Sequence, residues 1–206
     1  MKKIIAILAL IAIVAFGAFA TSVVSAGAGG YGVFQSGLYS IGPAVKIFTT
    51  SGNTFNDFTV ESPMWIRNIK SFDDVSNFIV NFDIKDSDLK FLQIVRGTET
   101  FGLALNFLGE SGPLVLTLGV GGSVAMDALF VDANNRIMEF RAGAGAVLDF
   151  GITIAKPLTV VLGVSADYPV FGLRIVTANG STSTNTYTVD QSRVIATAHV
   201  GVGLSF

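Results

Sequence analysis

The sequence has no cysteine, a single histidine and few charged residues. Zero Cys and one His among 206 residues exclude disulfides and thiolate metal sites and disfavour a histidine-based metal centre. Charged residues make up 14% of the chain, against about 25% in an average soluble domain. A formal net charge of −2 offers no basic patch for nucleic acid. We therefore expect no metal, no cofactor and no nucleic-acid partner.

After residue 20 the chain also lacks any run of about 20 apolar residues, which is the length that a transmembrane helix needs. Nevertheless, 50% of the chain is hydrophobic. This combination is typical of a membrane-spanning β-barrel, in which every second residue faces lipid and no long apolar run results. The 23 glycines also fit strands better than helices.

The N-terminus has the features of an export signal. Lys2 and Lys3 precede an apolar run over 4–16, and Ala18 and Ala20 place small residues where a signal peptidase reads them. A second small-residue site ends at Ala26. The pattern predicts a cleaved signal peptide over 1–20, with a cut as late as 26, followed by one barrel domain over 27–206. A retained membrane anchor is the alternative.

Period-two alternation is clearest at the C-terminus, where an apolar face opposes a face of small and polar residues. The apolar face ends on Val200, Val202, Leu204 and Phe206. The same alternation predicts strands at 38–49, 77–84, 100–107, 114–127, 139–154 and 158–170, and 58–70 should hold one more. Polar segments at 50–57, 85–88, 131–136 and 177–192 are predicted loops, and 109–113 and 156–157 are predicted tight turns. The expectation is an all-β, antiparallel, up-and-down transmembrane barrel of eight strands, with ten strands as the alternative. Pro169 should weaken the regular ladder.

The composition of the two faces predicts which one is inside. A face exposed to water would be rich in Lys, Glu and Asp. Here the polar face is mostly Gly, Ala, Ser and Thr with isolated charges, which suits the crowded interior of a narrow barrel. A soluble, secreted, lipocalin-like barrel with the apolar face inward is the alternative. Interior charges must pair with one another, so we predict an interior polar network of Lys46, Arg96, Asp127, Glu139, Arg141, Asp149, Asp167 and His199.

A catalytic function would need a nucleophile and a base within hydrogen-bond reach. His199 is the only histidine, and Ser165 or Ser123 could lie near it, with Asp167 or Glu139 orienting the ring. No His-x-Ser pair is present. We favour a packed interior histidine and predict that the protein is not an enzyme.

With these residues in hand, the chain resembles the small eight-stranded outer-membrane barrels, the group that contains the OmpA transmembrane domain, OmpX and OmpW. The resemblance implies a bacterial outer membrane, short turns on the periplasmic side and longer loops outside. It also implies that Val200, Val202, Leu204 and Phe206 match the signal read by the barrel assembly machinery.

The functional expectation is a monomer surrounded by outer-membrane lipid, with a structural and surface-interaction role. Its polar loops would face outside the cell, and 177–192 would meet an extracellular ligand. The alternatives are a narrow porin-like channel for small or apolar solutes and a lipid-modifying outer-membrane enzyme.

Overall fold

The computed structural model describes residues 21–33, 38–62, 65–68, 94–108, 113–130, 134, 136–187 and 194–205. The predicted signal peptide, the predicted strand at 77–84, the loop at 85–88 and Phe206 lie outside these ranges. Within them, no helix is long and apolar enough to cross a bilayer. The strands are β1 Thr21–Val33, β2 Leu38–Ser51, β3 Thr54–Glu61, β4 Trp65–Asn68, β5 Ile94–Asn106, β6 Leu114–Phe130, β7 Arg136–Ala155, β8 Leu158–Ala178, β9 Ser181–Tyr187 and β10 Ile195–Ser205.

The strands form one closed antiparallel sheet. Its order is β1-β10-β8-β7-β6-β5-β3-β2, and β1 pairs with β2 to close the ring. Two short strands add no new position to the ring. β4 pairs with β2 beyond the end of β3, and β9 pairs with β8 beyond the start of β10. The predicted all-β barrel with eight strand positions is therefore confirmed. Closure pairs the backbone groups without leaving a free edge.

The predicted sidedness is also confirmed. On β7, Leu148 is 46% exposed while its neighbour Asp149 is 4% exposed. On β10, Val202 is 54% exposed, whereas His199 is buried. The apolar rows thus form the outer wall, and the glycines and charges fill the lumen. Such an outer wall suits contact with hydrocarbon, because apolar residues cover most of β5, β6, β7, β8 and β10.

The ends of the barrel differ in their connections. The two-residue turns at Gly52–Asn53 and Lys156–Pro157 lie at the same end as the link between β5 and β6. The start of β1 and the end of β10 are at that end too, where Val23 pairs with Ser205. The turn between β8 and β9 lies at the opposite end. The two-residue tight turns and the turn between β8 and β9 therefore lie at opposite ends of the barrel.

The loop predicted at 50–57 is wrong. β2 continues to Ser51, Gly52 turns with a positive φ of 56°, and β3 begins at Thr54. Composition was misleading because the segment is rich in Thr, Ser, Asn and Gly. However, Phe55 and Asp57 already have the alternate spacing of an inward face. The strand predicted in 58–70 is present as the end of β3 and as β4.

β1 was not predicted, and it begins at Thr21, ahead of the domain boundary placed at residue 27. Its residues are mostly Gly, Ala and Ser, so neither face is distinctly apolar in the sequence. The later of the two predicted cuts would remove the first residues of this strand. The signal peptide itself stays a prediction.

The loop predicted at 177–192 is wrong over 177–187 apart from a two-residue turn, and 188–192 lie outside the described residues. β8 continues to Ala178, and β9 returns from Ser181 to Tyr187. Asn179 and Gly180 form the turn with φ values of 51° and 79°. An Asn-Gly pair with positive φ is the preferred two-residue connection of a hairpin, and threonine favours strands. The predicted irregularity at Pro169 is confirmed as a register shift opposite Gly143.

Candidate functional site: the lumen

The lumen near the tight-turn end is filled by aromatic and aliphatic side chains. Phe48 and Phe55 stack with ring centroids 6.4 Å apart, and both belong to the buried cluster that includes Val147. Gly119 makes this packing possible, because a Cβ there would lie 2.5 Å from the Phe55 ring. Interior glycine thus provides the space that the large ring occupies.

Lys46 is the centre of a buried charge cluster. Its Nζ lies 2.7 Å from Asp57 Oδ2 and 2.7 Å from Asp149 Oδ1, so β2 is tied to β3 on one side and to β7 across the lumen. The three side chains are at most 5% exposed. Gly163 leaves room for the contact between Lys46 and Asp149, since a Cβ at position 163 would lie 2.7 Å from Lys46 Nζ. We call Lys46, Asp57 and Asp149 the lysine cluster; its formal charge is −1.

Arg96 organises a second set of ion pairs closer to the other end. Its Nη1 donates to Glu61 Oε1 at 2.8 Å, and its Nε donates to Asp127 Oδ1 at 2.6 Å. The other oxygen of Asp127 lies 2.7 Å from Arg141 Nη2. One carboxylate therefore bridges two guanidinium groups, which balances charge among β3, β5, β6 and β7 without bulk water.

The chain of alternating charges continues to the rim. Arg141 Nη1 lies 3.9 Å from Glu139 Oε1, and Arg174 Nη2 donates to Glu139 Oε2 at 2.6 Å. Arg174 is half exposed, so the series ends at the mouth of the barrel. We call Glu61, Arg96, Asp127, Arg141, Glu139 and Arg174 the arginine chain.

His199 lies on the lumen side of β10, and its partner is on β1. Its Nε2 and Ser25 Oγ are 2.9 Å apart, and both residues are buried. Its Nδ1 has no hydrogen-bond partner among the described residues. The two serines considered from the sequence bond other residues: Ser165 bonds Thr197, and Ser123 bonds Asp167. Ser25 was not considered, because the pairing of β1 with β10 was not readable from the sequence.

The buried Ser25 and His199 pair forms one hydrogen bond of the kind that a hydrolytic site uses. No described carboxylate orients the imidazole through Nδ1, although a triad uses such a contact. The described ranges also contain no group of three His, Asp or Glu side chains that could hold a metal ion.

A small cavity lies in the lumen. Its volume is about 10 Å³, and Arg96, Ser123, Arg141 and Asp167 line it. This is about the volume that one water molecule requires. Among the described residues, buried ion pairs and the aromatic cluster also occupy the lumen.

Several network members were missed from the sequence. Asp57 and Glu61 belong to β3, whose first half was interpreted as a loop, and Arg174 follows the irregularity at Pro169. Period two would have placed Asp57 inward, because it lies two residues from Phe55. The C-terminal residues Val200 and Leu204 are exposed on the outer wall of β10.

Two solved structures are similar to the chain. A major outer membrane protein from Thermus thermophilus has 11% identity and a TM-score of 0.45, over 91% of this chain and 99% of that one. Neisserial surface protein A has 9% identity and a TM-score of 0.49, over 90% of this chain and 97% of that one. No family model matches the sequence, and no curated protein matches it. Identities this low concern the fold alone. By its own geometry, the closed barrel with an apolar outer wall is the architecture of a membrane-spanning β-barrel protein.

Proposed function

We propose that the protein is an integral outer-membrane barrel that acts through the surface it presents outside the cell, while its lumen serves structure. The observation that carries this proposal is a lumen closed by ion pairs beneath a projecting polar hairpin. Outer-membrane lipid surrounds the barrel. Membership of the group containing OmpA, OmpX and OmpW stays a prediction.

The closed lumen supports a structural role for the interior charges. The lysine cluster ties β2, β3 and β7 together, and the arginine chain links β3, β5, β6, β7 and β8. These contacts join strands on different sides of the ring. A solute would have to break several buried, charge-assisted contacts in order to pass.

The hairpin of β8 and β9 supports an exposed role. β9 pairs with β8 over Gly172–Ala178, beyond the part of β8 that pairs with β10. Residues 181–186 are exposed and polar, and they have the sequence STSTNT. Two paired strands present these hydroxyl and amide groups in a defined arrangement, which suits recognition of a polar extracellular ligand.

The proposal is tested by inserting an epitope between Asn179 and Gly180. We expect the antibody to bind intact cells, because the hairpin lies at the end opposite the tight turns. Labelling only after permeabilisation would show that the hairpin does not face the cell exterior, and this result would overturn the proposal. An insertion at Gly52–Asn53, at the other end, is the matched control and should be labelled only in permeabilised cells.

A narrow channel is the second candidate, and one observation favours it. Asp149 Oδ2 and His199 Nδ1 accept or donate no hydrogen bond among the described residues, so polar atoms remain available to water inside the lumen. Planar-bilayer recordings of the purified protein separate the two functions. Reproducible conductance steps would support the channel, and a silent bilayer would support the closed barrel.

Recognition by the barrel assembly machinery is a further part of the proposal. Val200, Val202 and Leu204 form an exposed apolar row on β10 and precede Phe206 in the sequence. Deleting Phe206 should reduce the amount of folded protein in the membrane, while the purified variant refolds in detergent. Unchanged assembly in cells would contradict this role.

A further inference from the structure

Glu99 points to the outer wall, whereas the other charged residues in the middle of the strands point into the lumen. It lies in the middle of β5, between Thr98 and Thr100, whose side chains are buried in the lumen. Period two therefore directs Glu99 to the outer wall. In the register it is opposite Phe58 on β3 and Val124 on β6. Ionisable residues that face hydrocarbon are costly, so such a residue points to a function.

Asn56 on the outer wall of β3 holds the Glu99 side chain in place. Its Nδ2 donates to Glu99 Oε1 at 2.7 Å. No described side chain donates to the other carboxylate oxygen. One oxygen is therefore fixed by the protein, and the second can accept a hydrogen bond from a bound molecule.

A groove of about 370 Å³ lies on the outer wall beside Glu99. This volume falls within the range of small-molecule sites, which is about 300–1,000 Å³. Small residues form its floor: Gly97, where an added Cβ would meet nothing within 4 Å, and Ala142. Its apolar walls are Phe58, Val124, Met126, Phe140 and Phe171.

Glu99 supplies the charge of this groove. Arg141 also borders it, but the Arg141 guanidinium is directed to Asp127 in the lumen and does not compete. The remaining side chains of the wall are aromatic rings, aliphatic groups and the Met126 thioether. Aromatic faces attract cations, and a carboxylate in a desolvated setting attracts them more strongly.

We propose that this groove binds a lipophilic organic cation, with its alkyl chain along the phenylalanine walls and its ammonium group against Glu99. An anionic amphiphile would be repelled by the carboxylate. A neutral alkane would gain nothing from the carboxylate and would leave its second oxygen without a donor in hydrocarbon.

The test is photolabelling of the protein in phosphatidylcholine vesicles. The probe is dodecylamine bearing a photoreactive diazirine, and the comparison probes are the corresponding alkane and carboxylate. We expect the amine to label peptides of β5, β6 and β7, and Glu99→Gln to lower that labelling by about tenfold or more, because a charge-assisted contact is lost. Excess dodecyltrimethylammonium should compete in the wild-type protein.

Two variants make the result specific. Gly97→Leu fills the groove while Glu99 stays in place, and it should also abolish labelling by the amine. Leu103→Gln adds an amide elsewhere on the outer wall of β5 and should leave labelling unchanged. Equal labelling by the three probes, or amine labelling that survives Glu99→Gln, would overturn the proposal. The competition experiment needs no variant, so lack of competition would overturn it even if a variant failed to fold.

Discussion

Replacing Lys46 with Met should destabilise the barrel strongly. The ammonium lies 2.7 Å from each of two carboxylates, and all three side chains are almost fully buried. The substitution leaves Asp57 and Asp149 as two like charges without their shared cation. Removing one partner of a buried ion pair typically costs about 3–5 kcal/mol. We expect a loss in this range in the free energy of unfolding.

The assay is urea unfolding from phosphatidylcholine vesicles, with the folded fraction read from the shift in gel mobility on boiling. Lys156→Met is the matched control, because Lys156 is exposed in the turn between β7 and β8. Its effect should stay within about 0.5 kcal/mol. The triple variant Lys46→Met, Asp57→Asn and Asp149→Asn removes all three charges and should recover most of the lost stability.

A small loss of unfolding free energy in Lys46→Met would show that the lysine cluster is not buried away from water. An exposed ion pair contributes at most about 1 kcal/mol. If the unfolding free energy of Lys46→Met lies within about 1 kcal/mol of that of the Lys156→Met control, then water solvates the two carboxylates. The lumen would then be hydrated, and the closed interior described above would be wrong. Failure of the triple variant to recover stability would show that the cost arises from lost packing of the lysine side chain.

The aromatic cluster and the outer wall make two further predictions. Phe55→Ala should cost about 3–5 kcal/mol in unfolding free energy, because the ring fills the space over Gly119, and equal stability in the same urea assay would contradict that packing. Leu148→Arg should cost about 2–4 kcal/mol, because the side chain faces lipid near the middle of the membrane; if Leu148→Arg instead unfolds at the wild-type urea concentration, the residue does not face hydrocarbon.

The sidedness of β6, β7, β8 and β10 could be predicted from the sequence. Their large apolar residues recur every second position over long segments, as in β7 from Phe140 to Ile154, and one face carries the charges. In a membrane barrel, such a pattern keeps its charges out of hydrocarbon only when the charged face points into the lumen. The strands that show this alternation were therefore predicted correctly, apart from their ends.

β1 and the first half of β3 were missed for different physical reasons. β1 is built of small residues on both faces, so it carries no hydrophobic contrast. β3 begins directly after Gly52 and Asn53, and its polar residues are typical of loops. Because the first half of β3 was interpreted as a loop and no register was predicted within 58–70, Asp57 and Glu61 were absent from the predicted network, although Lys46 and Arg96 were included.

The partners of the lumen residues depend on strand pairing that composition does not encode. Ser25 meets His199 only because β1 closes the ring against β10. Likewise, Asp149 reaches Lys46 across the lumen from the opposite side of the ring. Glu99 could have been found earlier, since period two from Thr98 and Thr100 places it on the outer wall.

The central claim is tested most directly by single-cysteine scanning, because the chain contains no cysteine. Spin labels attached to Leu148→Cys, Val164→Cys and Val202→Cys in vesicles should show high collision rates with oxygen, which concentrates in hydrocarbon. Labels attached to Val147→Cys and Ser165→Cys should show low rates, because these residues point into the packed lumen. High collision rates with oxygen at positions 147 and 165, together with low rates at positions 148, 164 and 202, would show that the apolar rows do not face hydrocarbon.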